Sequence, residues 1–143
     1  MNLFEIALTL VGLVVLATVL GLAWQKLTGR ARRTTTAATV ELSQFPGNHT
    51  LGSAATLLQF STELCSPCRS THAVLAAIAG EQPEIAHIDV DLTHRADLAN
   101  KFNILQTPTT LILDRNGTIR ARIGGALKRE TVTAELENLL AAA

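Results

Sequence analysis

Twenty consecutive uncharged residues, mostly Leu, Val and Ala, run from Ile6 to Gln25. As a helix rising about 1.5 Å per residue, this run reaches ~30 Å, the thickness of a bilayer's hydrocarbon core. The pattern predicts a membrane-spanning anchor over 1–25, with Trp24 at the interface and Lys26 snorkelling just beyond it. A buried helix of a soluble core rarely stays uncharged for so long. A cleaved secretory signal would carry positive charge ahead of a shorter apolar stretch. Here only Glu5 precedes the run, and Gly21-Leu22-Ala23 followed by Trp24 is a poor cleavage site. Residues 26–39, which hold Gly29 and a Thr run, lack sustained periodicity and read as a basic flank and flexible linker.

Beyond residue 40 the pattern alternates between strand and helix signals. Val40 to Leu42 predicts a short edge strand, followed by a turn at Pro46-Gly47-Asn48. Thr56 to Phe60 is a short apolar run suited to a strand covered on both faces. Residues 66–79 read as a helix with Val74, Leu75 and Ile78 inward and Gly80 as its stop. Ile85 to Val90 is a further strand, and Thr93 caps a predicted helix reaching Phe102. Thr109–Leu113 and Thr118–Ile123 flank Asp114-Arg115-Asn116-Gly117, whose Asn-Gly pair favours a tight hairpin turn. A last helix from about Lys128 to Ala141 aligns Val132, Leu136, Leu139 and Leu140. The order β-β-α-β-α-β-β-α predicts one α/β domain over 40–143, a mixed central sheet flanked by helices.

Composition sharpens this division. The net charge of zero is a sum of unlike parts. Residues 1–39 hold Lys26, Arg30, Arg32 and Arg33 against Glu5, giving +3, and the remaining eight basic and eleven acidic residues give −3. No basic run interleaved with aromatics points to nucleic acid. The basic residues all follow the apolar run, which favours a single-pass orientation with the domain on the cytoplasmic side, the extracytoplasmic side being the alternative. Lipid is then one partner, met through the N-terminal helix.

The two cysteines stand together as Cys65-Ser66-Pro67-Cys68, between a predicted buried strand and a helix start. Cys-x-x-Cys at a helix N-terminus brings two sulfurs within disulfide reach. It also places the first where unpaired N–H groups and the positive helix end favour a thiolate. Lowering a thiol pKa from about 8.5 to about 7 is worth roughly 2 kcal/mol to the charged form. Pro67 falls in the first turn, where a missing N–H costs little. Half a zinc site is the competing reading. It needs two more ligands, and His49, His72, His87 and His94 are scattered without the usual spacing.

Thr107-Pro108-Thr109 follows some forty residues later. With Cys65-Ser66-Pro67-Cys68 after the TLLQF strand, Gln106-Thr107-Pro108-Thr109, Asn116-Gly117 and Gly124-Gly125, the chain resembles the thioredoxin superfamily over about residues 55 to 141. The resemblance implies a thioredoxin-like fold, a cis Thr107–Pro108 bond beside the sulfurs and contact between the Thr107 backbone and an extended substrate peptide. It implies a thiol–disulfide oxidoreductase with catalytic Cys65 and Cys68, and substrate contacts at Leu64, Ser66, Pro67, Thr107, Pro108 and Gly124. The redox-active disulfide stands in for any cofactor, and no metal is expected. Partners would be disulfide-containing proteins and an electron donor, either like thioredoxin reductase or a membrane electron relay.

Departures from the family pattern mark the modulators. Leu64 and Ser66 stand where the usual motif has Trp and Gly, Gln59 falls on a buried aspartate and His87 on a lysine, and Arg69 follows the second cysteine. A glutamine cannot accept a proton, so Cys68 must lose its own to water or to another group. The segment before Thr56 is also too short for a full first helix. The expected mechanism is protein-disulfide reduction: Cys65 attacks a partner disulfide and Cys68 resolves the mixed disulfide. A disulfide oxidase or isomerase, and a tethered binding module without turnover, are the alternatives.

Overall fold

A computed structural model describes residues 2–27, 30–34 and 38–142. Helix α1, Leu3–Leu27, is the apolar run and is long and apolar enough to cross a membrane. Its hydroxyls turn inward, Thr9 Oγ1 donating to the Ile6 carbonyl at 2.8 Å and Thr18 Oγ1 to that of Val14 at 2.7 Å. Both hydroxyls are thus satisfied within the helix.

The domain is built on a five-stranded sheet in the order β1-β5-β4-β2-β3. Its strands are β1 (Ala31–Arg33), β2 (Ala55–Ser61), β3 (Ile85–Asp91), β4 (Thr109–Asp114) and β5 (Ile119–Gly124). β2 pairs parallel with β3 and antiparallel with β4, and β5 pairs antiparallel with both β4 and β1. Helices α2 (Ser66–Glu81), α3 (Ala96–Lys101) and α4 (Arg129–Ala141) complete it. The sheet divides the core in two. One side gathers Phe45, Phe60 and Phe102 with Leu58, Val90 and Leu111. The other packs Leu75 and Ile78 of α2 and Val132 and Leu136 of α4 against Leu57, Ile112 and Ile123. Central β2 and β4 are buried along almost their whole length, as the apolar run TLLQF implied.

Four local expectations change. The segment Val40–Leu42 forms no strand. Val40 donates to the Gly117 carbonyl at 2.8 Å and buries its side chain, Thr39 makes a lone bridge to Thr118, and Leu42–Gln44 closes a 3-10 turn. The linker reading of 26–39 is corrected at Ala31–Arg33, which extend the sheet at the open edge of β5. Three residues carry no periodicity, and the edge that recruits them exists only once the sheet is assembled. Gly29 and Thr35–Thr36 of that linker lie outside the described residues. Helix α2 passes through Gly80 to Glu81, where a Cβ would meet nothing within 4 Å. Thr93 is not the helix cap. Its N–H and hydroxyl both bind Asp91 Oδ1, at 2.8 and 2.6 Å, and α3 starts three residues later.

Candidate active site

The backbone leaves β2 at Ser61, turns through residues 62–64 and enters α2 at Ser66, with Cys65 as the N-cap and Pro67 in the first turn. Cys65 N donates to the Thr62 carbonyl at 3.2 Å and Cys68 N to the Cys65 carbonyl at 3.1 Å, so the motif is a tight turn running into the helix. Cys65 and Cys68 form a disulfide with their Cα atoms 5.3 Å apart. Cys65 is half-buried while Cys68 is 4% exposed. Cys65 is thus the more exposed member of the pair.

Across from the disulfide, the Thr107–Pro108 bond is cis and opens β4. The two loops are tied together by the hydroxyls of Thr62 and Thr107, 3.2 Å apart. Pro108 is buried, Thr107 is half-buried, and Gly124 lies opposite Thr109 at the end of β5. Leu64 is 99% exposed beside Cys65, and Ser66, Pro67 and Arg69 are exposed on the first turn of α2. All the sequence-derived contact residues thus meet at one end of the sheet.

Gln59 and His87 lie deeper. Gln59 is fully buried, and its Nε2 donates to the Cys68 carbonyl at 3.0 Å. Its Oε1, an acceptor only, lies 3.2 Å from His87 Nε2, which must carry the proton there. Burial, reinforced by the adjacent His72 ring and opposed by Asp89, lowers the pKa of His87 to about 4. Neutral imidazole is thus the working form at physiological pH. His72 is exposed, binds Asp89 Oδ2 through Nδ1 at 3.0 Å, and lies 4.8 Å ring to ring from His87. Among the described residues, no three His, Cys, Asp or Glu side chains cluster as a metal site would require.

Sequence reasoning missed Thr62, Asp89, Thr71 and Thr110. Thr71 lies one turn after Cys68, and Thr110 is the register partner of Gln59; both hydroxyls are buried with no hydrogen-bond partner among the described residues. Of these, only Thr110, beside the apolar run Leu111–Leu113 of β4, carried a local signal.

The sequence model of the thioredoxin family matches residues 37–138, well over half of the chain. The chain belongs to the thioredoxin family. A thioredoxin of Mycolicibacterium smegmatis is 35% identical over 87 residues, covering 59% of this chain and 77% of the relative. Thioredoxin H5 of rice is 29% identical over 69 residues, covering 48% of this chain and 51% of the relative. Thioredoxin H2 of Arabidopsis thaliana is 31% identical over 74 residues, covering 52% and 55%. The chain thus spans about half the length of these two plant relatives. Among solved structures, Fasciola hepatica thioredoxin superposes with a TM-score of 0.52 at 22% identity, covering 60% of this chain and 81% of that one. Chloroplastic thioredoxin z gives a TM-score of 0.56 at 22% identity, covering 62% and 80%. These structures establish the thioredoxin-like fold.

Proposed function

We propose that the protein is a membrane-anchored thiol–disulfide oxidoreductase that reduces disulfides in partner proteins. The observation that carries this reading is the asymmetric disulfide, with Cys65 reachable at the start of α2 and Cys68 buried behind it. In the reduced protein the positive end of α2 stabilises a Cys65 thiolate. The thiolate attacks one sulfur of the partner disulfide, forming the mixed disulfide and releasing the other sulfur as a thiolate that takes up a proton. Cys68 then loses its proton and attacks Cys65 Sγ. The partner leaves as a dithiol, and the Cys65–Cys68 disulfide holds the oxidising equivalent.

Leu64, Ser66 and Pro67 on one side, and Thr107, Pro108 and Gly124 on the other, bound the surface where an extended partner segment would lie, with Thr107 offering main-chain groups just ahead of β4. Gln59, His87 and Arg69 act as modulators, Gln59 by holding the Cys68 carbonyl. Regeneration requires a dithiol donor, a reductase of the thioredoxin-reductase kind or a membrane relay. In this reading residues 1–25 anchor the chain and the basic flank, Lys26, Arg30, Arg32 and Arg33, keeps the domain cytoplasmic.

Trapping tests the assignment. Cys68→Ser, with the attacking thiolate intact and the resolving one gone, accumulates covalent partner adducts on non-reducing gels, and Cys65→Ser does not. Equal trapping by the two variants rejects the order of attack.

A further inference from the structure

The membrane helix leads into the sheet at the end that carries the disulfide. Ala31, the first residue of β1, pairs with Ile123, Ile123 with Thr110, and Thr110 with Gln59. One row across the sheet therefore connects the start of β1 to the residue that holds the Cys68 carbonyl. β1 is antiparallel to β5, so its first residue, and not its last, points toward Gly124 and the cis Pro108 edge. Adjacent strands are about 4.8 Å apart, which puts the β4 edge about 10 Å across the sheet from Ala31.

The connection to α1 is short. Only residues 28–30 separate Leu27, the last residue of the helix, from Ala31. Four Cα steps span at most about 14 Å. A free chain over all of 26–39 would reach about 50 Å when extended. Pairing of β1 with β5 removes most of that freedom and keeps the disulfide end of the sheet within a few residues of the end of α1.

The side chains at this end match such a position. Leu64, next to Cys65, is 99% exposed, and Leu105, three residues before the cis proline, is 87% exposed. Arg30 and Arg32 are exposed at the helix exit, where anionic headgroups would meet them. Trp24 of α1 lines one cleft of about 750 Å³ together with Leu105, Gln106, Arg122 and Gly124. The Asp114–Gly117 turn lies at the opposite end of the sheet, beyond Arg33, the last residue of β1.

We propose that the disulfide this site reduces belongs to a membrane-spanning protein and lies close to the bilayer surface, beyond easy reach of freely soluble proteins. This rests on the anchor and exchange readings above. The electron balance is that of the exchange itself: two thiols at Cys65 and Cys68 become a disulfide as the membrane partner's disulfide becomes two thiols.

The test uses the full chain, reduced beforehand and reconstituted in vesicles of phosphatidylcholine with phosphatidylglycerol. The probes are synthetic transmembrane helices carrying a disulfide loop, either directly beside the span or on a flexible arm of about 30 residues, ~30 Å on average. Single-turnover reduction of the near probe is expected to be about tenfold faster than that of the far probe. A Gly-Ser insertion of about 20 residues after Thr28, ahead of β1, adds ~25 Å and should bring the ratio close to one. The same insertion after Thr36, behind β1, should leave the ratio unchanged. Both variants should still reduce a small soluble disulfide peptide, which reports an intact fold. Equal rates on the two probes by the unmodified chain, or loss of preference with the insertion behind β1, would overturn the proposal and leave the exchange reading standing. Release of the chain from vesicles by alkaline carbonate would overturn the anchor reading, and failure to reduce even the soluble peptide the exchange reading; either outcome takes the proposal with it.

Discussion

Gln59 Nε2 donates to the Cys68 carbonyl oxygen at 3.0 Å from a fully buried position on β2, tying the first turn of α2 to the centre of the sheet. The same amide accepts from His87 on the neighbouring strand at 3.2 Å. One neutral side chain thus satisfies the buried Cys68 carbonyl and the half-buried His87 ring without placing a charge beneath the disulfide.

Gln59→Ala leaves the His87 N–H and the Cys68 carbonyl without this partner and opens a cavity. A loss of about 2–4 kcal/mol is expected from the unpaired groups and the void together. Urea denaturation of the full chain in detergent, followed by far-UV circular dichroism, measures it. Gln59→Glu, which cannot donate in its ionised form, should not restore the wild-type midpoint at neutral pH.

His87 makes stability depend on pH with a definite sign. Its folded pKa of about 4 lies below the ordinary 6.5, so the unfolded chain binds more protons between those values. The stabilisation is whole above about pH 6.5, declines as the pH falls toward about 4, and then levels off. His87→Gln keeps an N–H to offer Gln59 and should flatten this part of the profile. An unchanged slope in the urea midpoint from pH 7 to pH 4 would contradict the assignment.

Asp114 staples the β4–β5 hairpin. Oδ1 accepts from the backbone N–H groups of Asn116 at 2.9 Å and Thr118 at 3.0 Å, and Oδ2 from Arg120 Nε at 2.8 Å. Burial alone would raise its pKa, but these bonds outweigh it and hold the carboxyl below the usual range. Asp114→Ala should cost about 2–3 kcal/mol, and Asp114→Asn, which keeps the Oδ1 acceptor, about 1 kcal/mol. The carboxylate's contribution is present above the unfolded carboxyl range and disappears as pH falls through its lower folded value.

Two glycines near the sheet should respond oppositely to alanine. At Gly52 a Cβ would stand 2.6 Å from the Ala86 nitrogen and 2.7 Å from the Glu84 oxygen, both backbone atoms that cannot step aside. At Gly124 the close neighbour, also at 2.6 Å, is the Gln106 side-chain amide, which can swing away. Gly52→Ala should therefore lower stability by more than ~2 kcal/mol and Gly124→Ala by less than ~1 kcal/mol. Paired denaturation curves of the two variants decide it, and reduction rates with Gly124→Ala show whether the added methyl blocks a partner segment.

How much was legible beforehand varied with the range of the contacts involved. The apolar run of α1, the buried strand TLLQF, the Asn116-Gly117 hairpin and the Cys-x-x-Cys at a helix start are local patterns whose physics acts within a few residues. Each appears in the structure where the chain's periodicity and turn chemistry place it. Ala31–Arg33 have no strand signal of their own; they become a strand only against the finished edge of β5. Val40, read as strand, instead caps the hairpin turn through the Gly117 carbonyl. Thr93 prefers a local turn at Asp91 to capping α3, since both of its donors find the same carboxylate two residues back.

Hydrophobic periodicity and a four-residue motif act locally, so the chain alone places an apolar run ahead of an α/β domain and two thiols at a helix start. The folded arrangement is what buries Cys68 more deeply than Cys65, sets Gln59 against Cys68 and His87 against Gln59, and starts β1, the strand that follows the long apolar helix, at the disulfide end of the sheet. Burial, cross-strand register and the choice of sheet edge are set by contacts between residues distant along the chain, and they come into being only when the sheet closes.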